Sequence, residues 1–308
     1  MSIEHTPIRL NVFAGLQNLP NYAAEARGFF AARGLDVITT VTRSSQEQRN
    51  ALASGDCDIA HSASDNALAM VDAGVDVALV VGLDNGFNKI VAVPGINTID
   101  QLRGRTLAVD ALDTAFALLV YNILQRKGLT HNVDYKVQSI GATRFRLEAV
   151  QQGRADFTIL NLPFNLFAQE SGLKVLIDPI EANGPYQGTG GFVRRDWAAQ
   201  HRDRLVRYLA AYIEGLRWVL EPLNRADVIA LLQQKMELSP DIAAKCFEAA
   251  CNPHRGFVRD AKIDRAGMEC VLNLRDTYSP KRDGTARTWI NYVDEGPHAE
   301  AISLLKRG

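Results

Sequence analysis

The sequence predicts an α/β protein of two similar lobes, each a mixed sheet flanked by helices, and three observations carry that reading. A strand, helix, strand, helix, strand segment occurs twice, over Leu10–Ala60 and again over Leu107–Leu160. The offset between the copies is nearly constant: 97 positions from Leu10 to Leu107, 100 from Val37 to Val137 and 98 from Asp58 to Asp156. Helices alternate with short apolar strands throughout both copies, the pattern of parallel strands joined by right-handed crossovers. Two copies of one unit in one chain make two lobes with a cleft between them, and such clefts are where small ligands bind.

Each element has a local cause. In the first copy Leu10–Phe13 reads as a strand. Tyr22, Ala26, Phe29, Phe30 and Arg33 then follow a three-to-four rhythm that predicts a helix over Asn21–Arg33. Gly34 ends it, because glycine takes the left-handed position after a helix without strain. Val37–Thr42 is the next strand and Gln46–Ala53 the next helix, closed by Gly55. In the second copy Leu107–Val109 is the strand, and Phe116, Leu119, Val120, Ile123 and Leu124 predict the helix Thr114–Lys127, stopped by Gly128. Asp113 is the expected N-cap. Lys136–Ile140 and Arg144–Gln151 complete the unit before Gly153. The turns Gly55-Asp56-Cys57-Asp58 and Gly153-Arg154-Ala155-Asp156 both place an aspartate at the mouth of the next strand.

Between the copies, Val77–Val81 and Lys89–Pro94 read as strands around the turn Asp84-Asn85-Gly86. Pro94-Gly95 breaks the run, Thr98–Leu102 reads as a short helix, and the outward crossing between lobes is expected there. Beyond the second copy, Leu173–Ile177 is a strand, Pro179–Gly188 a loop, and Gly190–Arg194 an extended return. Gly188-Thr189-Gly190-Gly191 is read as a hinge, since no lysine or helix follows as a phosphate loop requires. Helices over Asp203–Leu220, Ala226–Lys235, Pro240–Ala250 and Ile263–Tyr278 are expected to pack back on the first lobe. Lobe 1 is thus expected to comprise residues 1–94 and 191–308, and lobe 2 residues 95–190.

Composition bounds the function. A chain of 308 residues with 47% hydrophobic and 22% charged residues suffices for two ordinary globular domains. A net charge of −1 argues against a nucleic-acid partner, which calls for a basic excess. The densest apolar run, Val77–Gly82, reads as a buried strand, and no stretch approaches the length needed for direct membrane insertion. Met1–Ile8 has no basic region, apolar core or cleavage site, so the expectation is a cytoplasmic protein, or a periplasmic one if a leader was removed. Cys57, Cys246, Cys251 and Cys270 match no disulfide scaffold, and with His254 no zinc pattern, so no metal and no cofactor is expected.

Several stretches together resemble a known family. They are Tyr22–Phe30 with Gly34–Val37, Ala51–Ala60, Asp100–Val109 and Ala149–Asp156. In order and spacing they resemble type II solute-binding proteins, of the branch that includes nitrate, sulfonate, taurine and thiamine-pyrimidine binders. The likeness covers roughly residues 8 to 220 well. It implies the two-lobed type II periplasmic-binding-protein fold. It also implies a ligand held between strand ends and helix N-termini, which offer unpaired N–H groups and partial positive charge.

The candidate contacts follow from that placement. Gln17 and Asn18 follow the first strand, where they either read a polar ligand or shape the turn before Pro20. Arg43 either meets an anionic group or is a solvated arginine, and Ser44 is an N-cap within reach of a ligand. His61, Ser62, Ser64 and Asp65 follow the third strand, at the place the resemblance assigns to the cleft floor. Ser64 or Asp65 would cap the helix Asn66–Val71, and His61 is a ligand contact, a general base or a hydrogen-bonded structural residue. In lobe 2, Asp110, Asp113 and Thr114 open the equivalent helix. Family members that bind strong anions place small neutral residues there, so the two aspartates favour a ligand with an amine or N–H donors. Arg144 is a cleft cation or a surface charge, and Asn161 and Phe164 are cleft candidates after the last repeated strand.

The resemblance implies a solute-binding protein, or a cytoplasmic relative, that takes a small polar organic ligand by hinge closure and has an ABC permease as partner. The alternative is an enzyme on the same scaffold, related to decarboxylases, desulfinases or thiamine-pyrimidine synthases. The residues argue against it: Gly15-Leu16-Gln17-Asn18 stands where desulfinases carry a cysteine, and no cysteine cluster or nucleophile triad is visible. No catalytic residue is assigned; His61 is the candidate if the protein is an enzyme.

Overall fold

The computed structural model describes residues 5–307. Ten strands form two five-stranded sheets: β1 (Thr6–Val12), β2 (Leu35–Val41), β3 (Ile59–Ala63), β4 (Val77–Asp84), β5 (Lys89–Ala92), β6 (Thr106–Val109), β7 (Lys136–Ser139), β8 (Phe157–Leu160), β9 (Lys174–Ile177) and β10 (Thr189–Arg194). The first sheet has the order β2-β1-β3-β10-β4 and the second β7-β6-β8-β5-β9. In each, three strands run parallel and a fourth, β10 or β5, lies antiparallel between two neighbours. The two orders are the same, strand for strand.

The repeated Gly-x-x-Asp turns now have a cause. Asp58 Oδ2 accepts the backbone N–H of Arg9 at 2.8 Å, and Asp156 Oδ2 accepts that of Thr106 at 2.8 Å. Arg9 and Thr106 are 97 positions apart, so in both lobes the aspartate ties the first parallel strand to the third.

Three expectations are corrected here. Lys89–Ala92 does not belong to lobe 1: it pairs antiparallel with Phe157–Leu160 and with β9, so the outward crossing lies within residues 85–88, not at Pro94-Gly95. The vacant antiparallel place in the second sheet is filled by the strand arriving from the first. Gly190 and Gly191 are not a hinge. They sit inside β10, bonded to β3 on one side and β4 on the other. A Cβ at Gly191 would come within 2.6 Å of Val81 Cγ1 and 2.9 Å of His61 Nε2, so these glycines serve close packing in the middle of a sheet.

The C-terminal helices do not pack on lobe 1 alone. Arg202–Leu220 does so, with Leu205, Tyr208, Leu209, Tyr212, Ile213 and Leu216 fully buried at three-to-four spacing against the helix Leu19–Ala26. Arg265–Tyr278 instead packs Met268, Val271 and Leu272 into the same cluster as Leu118 and Leu119 of the second-lobe helix Ala115–Gln125. Its Arg275 lies between lobes, donating to Asp65 at 2.8 Å and to the carbonyl of Asp113 at 3.1 Å. Among the described residues no helix is long and apolar enough to cross a membrane.

Candidate functional site between the lobes

A cavity with about 670 Å³ of space free of atoms, including its mouth to solvent, lies between the carboxyl ends of the two sets of parallel strands. Lobe 1 contributes Phe13 and Gln17 after β1, Ser45 at the start of the helix Ser45–Ser54, Ser62, Ala63 and Asn66 around the end of β3, and Asp84 at the end of β4. Lobe 2 contributes Val109, Asp110, Thr114 and Phe116 after β6, Thr143 and Arg146 from the helix Thr143–Gln151, and Ile159 and Asn161 at the end of β8. Phe87 and Asn88 come from the crossing segment.

The rim is already hydrogen-bonded across the lobes. Leu16 N–H donates to Leu162 carbonyl at 2.9 Å, Ala142 N–H to Arg43 carbonyl at 3.1 Å, and Asn161 Nδ2 to Gln17 Oε1 at 3.1 Å. Ser45 N–H donates to Asp110 Oδ2 at 3.2 Å. The backbone at Gly15 runs so close to Asn161 that any side chain there would collide with its amide.

Few groups in this cavity carry charge. Arg146 is 4% exposed and donates to the carbonyls of Gly141 and Ile159 and to Thr143 Oγ1, at 3.0–3.1 Å. Burial pulls its pKa down to about 10, with Asp110 acting the other way, so it remains a cation at neutral pH. Asp84 is buried, and burial pushes its carboxyl up against hydrogen bonds from Thr189 Oγ1 and the N–H of Gly86. Among the described residues, three buried polar atoms of lining residues have no partner: Arg146 Nε, Asp110 Oδ1 and Asn161 Oδ1. Buried groups left so are expensive, and in a ligand pocket they mark where the ligand's own donors and acceptors arrive.

The structure brings Gln17, Ser62, Asp110, Thr114 and Asn161 to the cavity wall and leaves the other sequence candidates off it. Asn18 is buried and bonds the carbonyl of Phe13 at 2.7 Å. Arg43 lies over the Phe145 ring, and Ser44 caps its helix by accepting Glu47 N–H at 3.2 Å. His61 lies within β3 and is fully buried, within 3.2 Å of both Asn21 Nδ2 and Tyr208 Oη. Burial alone takes its pKa down to about 3, so it is a neutral structural ring at physiological pH.

Ser64 and Asp65 do not cap Asp65–Asp72 through their side chains. Ser64 Oγ is unpartnered, and Asp65 is drawn into the buried pair with Arg275. Asp113 is exposed and is not the N-cap; Thr114 takes that position, with its hydroxyl bonded to the carbonyl of Ala111 at 2.9 Å. Arg144 is an exposed residue paired with Glu148 at 3.0 Å, and Phe164 packs edge-on against Phe167.

Arg146 is the residue that sequence reasoning missed. Its signal was present: Thr143, Arg146, Leu147 and Val150 share one buried helical face, and an arginine on such a face needs a reason. Phe13, Ser45, Asn66, Asp84 and Thr189 gave no comparable signal.

Two similar α/β lobes with the ligand space between them define the class of periplasmic-binding-protein folds. A model of the family described as NMT1/THI5 like matches residues 16–226. The chain belongs to that family. The YtlA protein of Bacillus subtilis is 21% identical over 266 residues, 83% of this chain and 78% of its own length. Among solved structures, the periplasmic nitrate-binding protein NrtA from Synechocystis PCC 6803 superposes with a TM-score of 0.84 at 15% identity, covering 99% of this chain and 90% of its own. The alkanesulfonate-binding protein SsuA from Xanthomonas axonopodis pv. citri, bound to MOPS, gives 0.76 at 16% identity, covering 91% of this chain and 94% of its own. At such identities the likeness establishes the fold and leaves the ligand to this chain's own residues.

Proposed function

We propose that this protein is a solute-binding protein that encloses a small polar organic molecule between its lobes and presents the closed form to an ABC-type permease. One observation carries the reading: a single cavity takes its walls from both lobes, at the carboxyl ends of both sets of parallel strands, with buried polar atoms left unpaired in it. The membership in the NMT1/THI5-like family supports it, and the names of the structural neighbours, nitrate and sulfonate binders among them, agree. His61, on which an enzymatic reading rested, is sealed in the lobe-1 core and does not line the cavity.

A ligand gripped by both lobes stabilises the folded state alone. At 100 times its dissociation constant it adds about 2.7 kcal/mol, and for a domain of about 150–250 residues each kcal/mol raises the Tm by about 2–4 °C. A thermal-shift plate of amino acids, aromatic acids, sulfonates, polyamines and pyrimidines is therefore expected to show a shift of several degrees for one chemical class. Small-angle scattering should show compaction with the same compound. A flat plate with no compaction would remove the solute-binding reading.

A further inference from the structure

Gln48 and Arg146 stand 98 positions apart, at equivalent places on the helices that follow β2 and β7. Each ties its helix to the third parallel strand of its own lobe. Gln48 Nε2 donates to the carbonyl of His61 at 3.4 Å, and Arg146 Nη2 to the carbonyl of Ile159 at 3.1 Å. His61 and Ile159 are also 98 positions apart. Lobe 1 thus shows that a neutral amide is enough for this structural task, and the positive charge in lobe 2 is additional to it. That charge is buried, its hydrogen-bond partners are all neutral oxygens, and its Nε has none. Asp110 is near enough to favour the charge but makes no hydrogen bond to it, and a buried cation that hydrogen-bonds no anion is costly, so the place where it stands is one where an anion is wanted.

Asp110 makes the complementary demand. Its Oδ2 takes the Ser45 N–H at the start of the lobe-1 helix, the place where a free anion would otherwise sit. The helix end is therefore occupied by the protein's own carboxylate, and the buried Oδ1 is left waiting for a donor. Two half-buried phenyl rings, Phe13 from lobe 1 and Phe116 from lobe 2, line the same space. Rings from both lobes lining one cavity suit a flat apolar body there.

Resting on the solute-binding reading, we infer that the ligand is an aromatic zwitterion whose anionic group meets Arg146, whose ammonium meets Asp110, and whose ring lies between Phe13 and Phe116. An inorganic anion leaves Asp110 Oδ1 without a donor, a simple amine leaves Arg146 Nε without an acceptor, and an aliphatic zwitterion leaves the rings uncovered.

Calorimetric titration tests this with two zwitterions of different charge spacing, L-phenylalanine and para-aminomethylbenzoate. Their deaminated counterparts are hydrocinnamate and para-toluate; their decarboxylated counterparts are phenethylamine and benzylamine. At least one zwitterion is expected to bind about tenfold or more tighter than both of its counterparts, the worth of one charge-assisted hydrogen bond. Asp110→Asn should erase the advantage over the deaminated compound, and Arg146→Gln that over the decarboxylated one. The amide of Gln48 indicates that Arg146→Gln keeps the fold, which a circular-dichroism melt verifies; the six compounds on the unaltered protein decide the matter even if a variant does not fold. A counterpart binding as tightly as its zwitterion in both sets overturns the inference. So does failure of all six while another compound shifts the Tm, an outcome that leaves the solute-binding reading standing; silence from every compound with no compaction removes both.

Discussion

The two lobes share a sheet order and an anchor, yet they differ where they face each other. Asp58 and Asp156 do the same work in both, each accepting a backbone N–H of the strand beside it. At the cleft the equivalent positions diverge: Phe13 stands against Asp110 and Ala63 against Asn161, and Gln48, buried off the cavity, corresponds to Arg146, which lines it. At these positions lobe 1 offers the cleft a ring and a methyl group; lobe 2 offers a carboxylate, a guanidinium and an amide. A repeated unit thereby serves as its own control. What both copies keep holds the fold, and what only one copy carries is free to serve the ligand.

The anchors give the largest expected difference. Asp58 is 5% exposed and also holds the Arg9 guanidinium at 2.6 Å, whereas Asp156 is 28% exposed and its Arg105 partner lies at 3.4 Å. Asp58→Ala should cost about 2–3 kcal/mol, since charged hydrogen bonds are lost and a backbone N–H is orphaned, and Asp156→Ala about 1 kcal/mol. Urea denaturation of both variants checks this; equal losses would mean that the anchors are not distinguished by burial.

The third strands differ next. Lobe 1 buries His61 where lobe 2 has Ile159, so lobe 1 alone carries a histidine whose pKa is held down to about 3 by burial. Its folded pKa lies below the unfolded value of about 6.5, so the unfolded chain binds the proton first. The stability this ring allows is fully present above about pH 6.5 and is lost as pH falls toward 3, at about 1.4 kcal/mol per unit. Between pH 6.5 and 5 the loss should be about 2 kcal/mol in urea melts. His61→Gln, which cannot titrate, should flatten that slope; an unchanged slope would assign it to other groups.

The smallest difference lies at the helices facing the rim. Ser44 caps the lobe-1 helix with its hydroxyl, while Ala142, 98 positions on, has no side chain to do so. Ser44→Ala should cost about 1 kcal/mol, and Ala142→Ser should recover up to about that much in lobe 2. Thermal melts of the single and double variants measure both. A gain from Ala142→Ser without a loss from Ser44→Ala would show that the lobe-1 cap is idle.

The sequence by itself determined the two copies, the glycines that end their helices and the aspartates that open their third strands. Periodicity and turn chemistry are local, and a repeat doubles the signal. It also brought Gln17, Ser62, Asp110, Thr114 and Asn161 to notice, because residues just after a parallel strand of an α/β unit face the cleft whatever their neighbours are. Only the tertiary structure decided the rest. Whether Lys89–Ala92 joins the sheet it leaves or the one it enters depends on which antiparallel place is empty, a pairing between residues about 70 positions apart. Whether Asp65 reads a ligand or pairs with a helix depends on Arg275, 210 positions away. Arg146 is a cleft cation rather than a surface one because its helix turns that face inward, toward a strand whose carbonyl it holds. Strand exchange, long-range pairing and burial of charge are settled by contacts between distant segments, which local pattern does not record.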